Sequence, residues 1–89
     1  MAEIEVTEAG DVFQVVVREG SSQTRHSVSA SAAERQRLAP GRPPKQIIEA
    51  AFRFLLDREP KESILARFAL SDIARYFPEF ERGIADYLP

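Results

Sequence analysis

Strict alternation opens the chain. In Glu3-Ile4-Glu5-Val6-Thr7 every second residue is apolar, the period-two signature of a strand with one buried face. Glu8-Ala9-Gly10-Asp11 reads as a turn. From Val12 to Arg18 the chain is dense in β-branched residues, with Phe13, Val15 and Val17 on one face and Val12 and Val16 on the other. Apolar residues on both faces predict a central strand. Glu19-Gly20-Ser21-Ser22 is a second turn, in which Gly20 is free to take positive φ. Gln23 to Ser29 is a third, more polar strand: Thr24, His26 and Val28 face one way, Arg25, Ser27 and Ser29 the other. Three strands joined by short turns predict an antiparallel meander.

The period changes at Ser31. Ser31-Ala32-Ala33-Glu34 fits a capping box, in which the hydroxyl and the carboxylate each accept from the other residue's backbone N–H. A short helix to about Leu38 follows. Pro40-Gly41-Arg42-Pro43-Pro44 is a stiff connection, and a proline there suits the first turn of the next helix. Lys45 to Asp57 is the strongest helical pattern. Ile47, Ile48, Ala51, Phe52, Leu55 and Leu56 form a broad apolar face, which Ala50 and Phe54 widen. That width predicts contacts on two sides: the sheet on one, further helices or a second protomer on the other. Glu59-Pro60 ends the pattern. Lys61 to Arg67 predicts a short helix presenting Ile64, Leu65 and Phe68. Ser71 is placed as an N-cap for a helical turn over Asp72 to Phe77. Pro78 opens a final helix to about Leu88, with Phe80, Ile84, Tyr87 and Leu88 inward.

These elements give an α+β class. One domain spans residues 1–89: an N-terminal three-stranded antiparallel β-meander over 1–29, packed on a C-terminal unit of three to five short helices over 30–89.

Composition removes most chemistry from that frame. The 89 residues include no cysteine and one histidine, so there is no disulfide framework, thiolate nucleophile or thiolate metal site. A metal site normally takes three or four ligands, and one histidine leaves only solvated carboxylates; no metal and no cofactor are expected. His26 reads as a half-exposed strand residue. The four glycines are scattered, so no phosphate-binding loop is present. The chain is read as not an enzyme. Its acidic, alternating start is unlike a signal peptide, and no apolar run is long enough for a bilayer; a cytoplasmic protein with no membrane partner is expected.

Charge is unevenly spread. The net −2 divides into −4 over residues 1–20, +3 over 21–59 and −1 over 60–89. The basic middle keeps nucleic acid in view. The leading expectation comes from the aromatic residues instead. Phe54, Phe68, Tyr76, Phe77, Phe80 and Tyr87 lie in helices too short to bury them all, and an unburied cluster marks a partner surface. The expected function is a small non-enzymatic protein-binding module that also self-associates, its partner being another protein or a second copy in a homodimer. Edge strands at Glu3–Thr7 or Gln23–Ser29 offer a second route, by strand addition.

Two family resemblances bear on this. Thr24 to Leu56 reads as strand, helix, turn, helix, which resembles the ribbon–helix–helix family of DNA-binding dimers. The resemblance implies that Arg25, Ser27 and Ser29 read bases from a ribbon shared between two chains. It also implies that Gly41, Arg42 and Lys45 sit at a phosphate beside the second helix. Three features depart from that pattern: Val12 to Arg18 pairs with the ribbon strand, Pro43 and Pro44 lack N–H groups, and the first helix has little apolar surface. The stretch Ile48 to Leu65, including Phe52-Arg53-Phe54-Leu55-Leu56-Asp57-Arg58-Glu59-Pro60, resembles a family of short bacterial proteins of uncharacterised function. So does Ile73 to Glu81, including Tyr76-Phe77-Pro78-Glu79-Phe80. That resemblance implies a bacterial origin and a stand-alone chain, and no site.

Overall fold

The computed structural model describes residues 2–89. Strands β1 (Glu3–Ala9), β2 (Val12–Glu19) and β3 (Ser22–Ser29) form the expected antiparallel meander, with β2 central. Both hairpin loops have two residues, and in each the first is a glycine at positive φ: Gly10 at 64° and Gly20 at 59°. No other residue type takes positive φ among the described residues, so the loops follow the II′ pattern that matches strand twist. The register puts Phe13 opposite Val28 and Glu8, and Val15 opposite His26 and Val6.

Helix α1 (Ala32–Leu38) begins at the expected capping box. Glu34 N–H donates to Ser31 Oγ at 3.1 Å, and Ser31 N–H donates to Glu34 Oε1 at 2.9 Å. Helix α2 (Pro44–Leu56) lies across the inner face of the sheet. Ile47, Ile48, Ala51, Phe52 and Leu55 are buried in one core with Phe13, Val15, Val17 and Val28. Each such side chain contributes roughly 1.5–3 kcal/mol on full burial. The second apolar side of α2 is covered from within the chain. Phe54 meets Phe80 at 5.0 Å and Tyr87 at 5.8 Å between ring centroids, both edge-on. Gly83 lies so close that a Cβ there would approach the Phe54 ring at 2.9 Å. The breadth of α2 therefore needs no second protomer.

The last third departs from expectation. Lys61 to Arg67 is not a helix. A 3₁₀ turn at Lys61–Ser63 leads into extended chain and a fourth strand, β4 (Arg67–Ala69), which pairs parallel with β3. The sheet is thus mixed, in order β1-β2-β3-β4. Two contacts override the local helical spacing: Ser27 N–H donates to Ala66 O at 2.7 Å, and Lys61 is anchored. The Lys61 side chain is 5 % exposed, with its ammonium 2.7 Å from Glu62 and 3.5 Å from Glu19 at the end of β2. The Glu62 carboxylate holds that ammonium above the usual lysine range against the opposing effect of burial.

Ser71 is not an N-cap. The carboxylate of Asp72 accepts from Ala69 N–H at 3.0 Å, and a 3₁₀ turn at Leu70–Asp72 runs into α3 (Ile73–Tyr76). The expected final helix is two pieces, α4 (Phe80–Gly83) and a 3₁₀ turn at Ile84–Tyr87, with Pro78 in the turn before them. Phe80 and Ile84 are buried, as their spacing required.

Glu34 joins the first helix to this region, because its Oε2 accepts from Ser71 N–H at 3.1 Å. Burial raises its pKa, but the donors from Ser31 and Ser71 outweigh burial and leave it below the usual carboxylate value. A depressed folded-state pKa stabilises the fold above the unfolded value and loses that contribution as pH falls through the folded value. Glu34→Gln is expected to cost about 1–2 kcal/mol at pH 7, the loss of charge-assisted bonds to two backbone donors. Thermal melts at pH 7 and below pH 4 check this: the difference between variant and parent should shrink in acid.

Candidate functional site

Helix α2 packs on one face of the sheet, and the other face is open along β2 and β3. Between the end of α2, β4 and α3 the chain leaves a groove of about 400 Å³. Its floor is apolar and buried: Leu55 from the last turn of α2, Ile64 from the extended connector and Ile73 from the start of α3. Phe68 and Phe77 form half-buried walls. Two large apolar side chains stand at the rim, Leu65 with 52 % and Tyr76 with 68 % of their surface exposed.

His26 sets the position of the connector. It is buried, not half-exposed as expected from its polar strand, because α2 covers that face and Phe52 packs 5.3 Å from its ring. Its Nδ1 is 2.8 Å from Leu65 O and its Nε2 is 2.8 Å from Thr24 Oγ1. A carbonyl only accepts, so Nδ1 carries a proton and donates it to Leu65 O. With its carbonyl held by the core, Leu65 directs its side chain to the rim. Among the described residues His26 has no carboxylate partner.

Three polar groups line the groove: Glu59, Ser63 and Asp72. Asp72 is engaged, with Oδ2 on Ala69 N–H and Oδ1 3.7 Å from the Arg75 guanidinium. Glu59 is half-buried, and among the described residues its carboxylate has no hydrogen bond or ion pair. Burial pushes its pKa above the usual carboxylate value. The groove therefore combines apolar surface with one uncompensated carboxylate. Small ligand or side-chain clefts have this composition.

The six aromatic residues expected at a partner surface divide into two groups. Phe68, Tyr76 and Phe77 line the groove. Phe54 and Phe80 are corrected to core residues, since α4 closes over the back of α2 and leaves them 0 % and 1 % exposed. Tyr87 is half-buried beside them, and its hydroxyl donates to Asp57 at 2.6 Å and accepts from Arg58 at 3.4 Å. Arg58 also lies 3.5 Å from the Phe54 ring centroid and 3.0 Å from Glu79. Leu65 and Glu59 were missed as site residues. Helical spacing placed Leu65 inward, and an isolated glutamate beside Pro60 carries no sequence signal of its surroundings.

The residues of the nucleic-acid reading are not brought together. Arg25, Ser27 and Ser29 lie on the uncovered face of the sheet, in register with Val16, Gln14 and Val12. Lys45 opens α2 on the opposite side. Arg42 donates to the backbone oxygen of Pro89, and Gly41 takes a φ of 78° in the turn before α2. Strand β3 is paired along β2, and its far edge is taken by β4 at Ser27–Ser29. A ribbon shared between two chains would require β4 to leave, and the edge expected at Gln23–Ser29 is free only in its first half. Strand β1 does form an edge.

Among the described residues no group of three or more His, Cys, Asp or Glu side chains could hold a metal ion. Among the same residues no helix is long and apolar enough to cross a membrane. Comparison with protein-family models, curated proteins and solved structures finds no match to the chain.

Proposed function

We propose that the chain is a non-enzymatic protein-binding module whose groove takes an apolar segment of a protein. One observation carries the reading: two large apolar side chains, Leu65 and Tyr76, stand exposed at the rim of a cleft with an apolar floor. Exposed apolar groups are common singly, but grouped around a concavity they mark binding. The engagement of His26 by a carbonyl and a hydroxyl inside the core supports the non-enzymatic part. Partner binding rests on the groove alone, since Phe54, Phe80 and Tyr87 have partners within the chain.

Amide resonances recorded during titration with 1-hexanol, a neutral apolar probe, test the reading. Shifts are expected at Glu59, Ser63 to Leu65, Ile73, Tyr76 and Phe77. Leu65→Ser and Tyr76→Ser should each weaken the shifts at least about five-fold, roughly the 1 kcal/mol of burying part of one side chain. Their unfolding free energies should stay within roughly 0.5 kcal/mol of the parent, as exposed positions do. Shifts centred elsewhere, such as the exposed Val12, sink the proposal.

A further inference from the structure

The rim of the groove carries a basic and an aromatic side chain next to each other, and its wall carries an unpaired acid. Arg75 is 80 % exposed and Tyr76 68 %. Arg75 reaches only Asp72, at the long distance of 3.7 Å. The other acids near this end are satisfied at shorter range: Glu62 by Lys61 at 2.7 Å and Glu79 by Arg58 at 3.0 Å. Among the described residues the Glu59 carboxylate, at the apolar wall, forms no ion pair, and burial by that wall raises its pKa. A carboxylate partly withdrawn from water without a partner is unfavourable, and an incoming cation relieves it.

We propose that the occupant of the groove is a second copy of this chain. In a two-fold dimer each Tyr76 enters the other copy's groove and each Arg75 meets the other copy's Glu59. The proposal rests on the binding reading above. A two-fold interface requires one surface to be complementary to itself. This rim meets that condition, because apolar anchor, base, apolar cleft and acid all lie around α3 and the segment preceding it. Alternative copies of the motif are poor. Val12, the other large exposed apolar residue, lies on the sheet face opposite Ser29 and Ala9, away from any cleft. The contact is confined to one groove and its rim, so the dimer is of the weak class whose interfaces fall below about 1,200 Å².

Sedimentation equilibrium of the full chain, from micromolar to millimolar concentration, tests the proposal. Self-association is expected in the parent at low salt. Glu59→Arg and Arg75→Glu should each weaken it at least ten-fold, and the double variant, which restores opposite charges across the axis, should regain most of the loss. Tyr76→Ser should remove it, and added salt should weaken it. All three positions changed are exposed or half-buried, and thermal melts confirm that each variant folds.

A strict monomer at millimolar concentration overturns the dimer and assigns the groove to a different protein; the hexanol titration still decides whether the groove binds at all. Association that Tyr76→Ser abolishes while the charge reversals leave it unchanged overturns the Glu59–Arg75 pairing. Association unaffected by every variant places the contact elsewhere and overturns the proposal whole.

Discussion

Phe54→Ala lowers the melting temperature by about 12 °C or more, because it opens a cavity where four elements meet. The ring is fully buried on α2 and is surrounded by Phe77, Phe80 and Tyr87 at 6.0, 5.0 and 5.8 Å between centroids. Phe→Ala in such a site costs about 3–5 kcal/mol, the lost burial plus the void left behind. For a domain of 60–100 residues each kcal/mol moves the midpoint by about 4–8 °C. The surroundings cannot close over the gap, since Gly83 already sits against the ring and the Arg58 guanidinium lies over its face. Phe54→Leu, which keeps most of the volume, should lose less than half as much. Chemical denaturation of both variants measures the difference. A loss below about 1.5 kcal/mol for Phe54→Ala would mean that the site relaxes or is not the closed core described.

His26→Ala is the second large effect, and it separates fold from function. Removing the ring deletes the donor to Leu65 O and the hydrogen-bond partner of Thr24 Oγ1, and leaves a void beside Phe52. An unpaired buried carbonyl costs about 1–3 kcal/mol, and with the void a total of about 2–4 kcal/mol is expected. His26→Phe restores the volume without the donor, so it should recover only the cavity part. The local consequence is the more specific one. Ser27 N–H, bonded to Ala66 O, should exchange with solvent faster relative to amides at the centre of β2 in both variants. The hexanol shifts at Leu65 should be lost in the same variants. Unchanged protection at Ser27 would show that the connector is held by β4 alone and that His26 is not its anchor.

How far the sequence reached is clearest from particular elements. The meander was readable because its information is local: alternation, β-branched residues and glycines at the two hairpin loops. The capping box at Ser31 and Glu34 was readable for the same reason. What it did not show is that Glu34 has a second carboxylate oxygen at work on Ser71, 37 positions away. Strand β4 was hidden because Ile64, Leu65 and Phe68 fit helical spacing equally well. The outcome is decided by an unfilled edge on β3 and by the reach of Lys61 to Glu19, partners that lie far from those residues along the chain.

The candidate site divides in the same way. The excess of C-terminal aromatics was visible in their number, and Phe68, Tyr76 and Phe77 line a groove. Which of them are core depended on how α4 folds back on α2, and that turned Phe54 and Phe80 from surface to interior. Glu59 is the plainest case. What sets it apart is a partly buried carboxylate with no ion pair among the described residues, a property of the folded surroundings and not of the residue.

The clasp between His26 and Leu65 spans 39 positions. The two hairpins close over two-residue loops and can form within roughly 1–10 μs. The groove has no wall until a far longer stretch of chain has been threaded past α2 and brought back to β3, and such a closure bears a larger entropic cost. The groove is therefore expected to form late in folding. A half-folded chain offers no groove, and an occupant that bound only the closed form would hold the long-range closure shut, adding its binding energy to the stability of the whole domain.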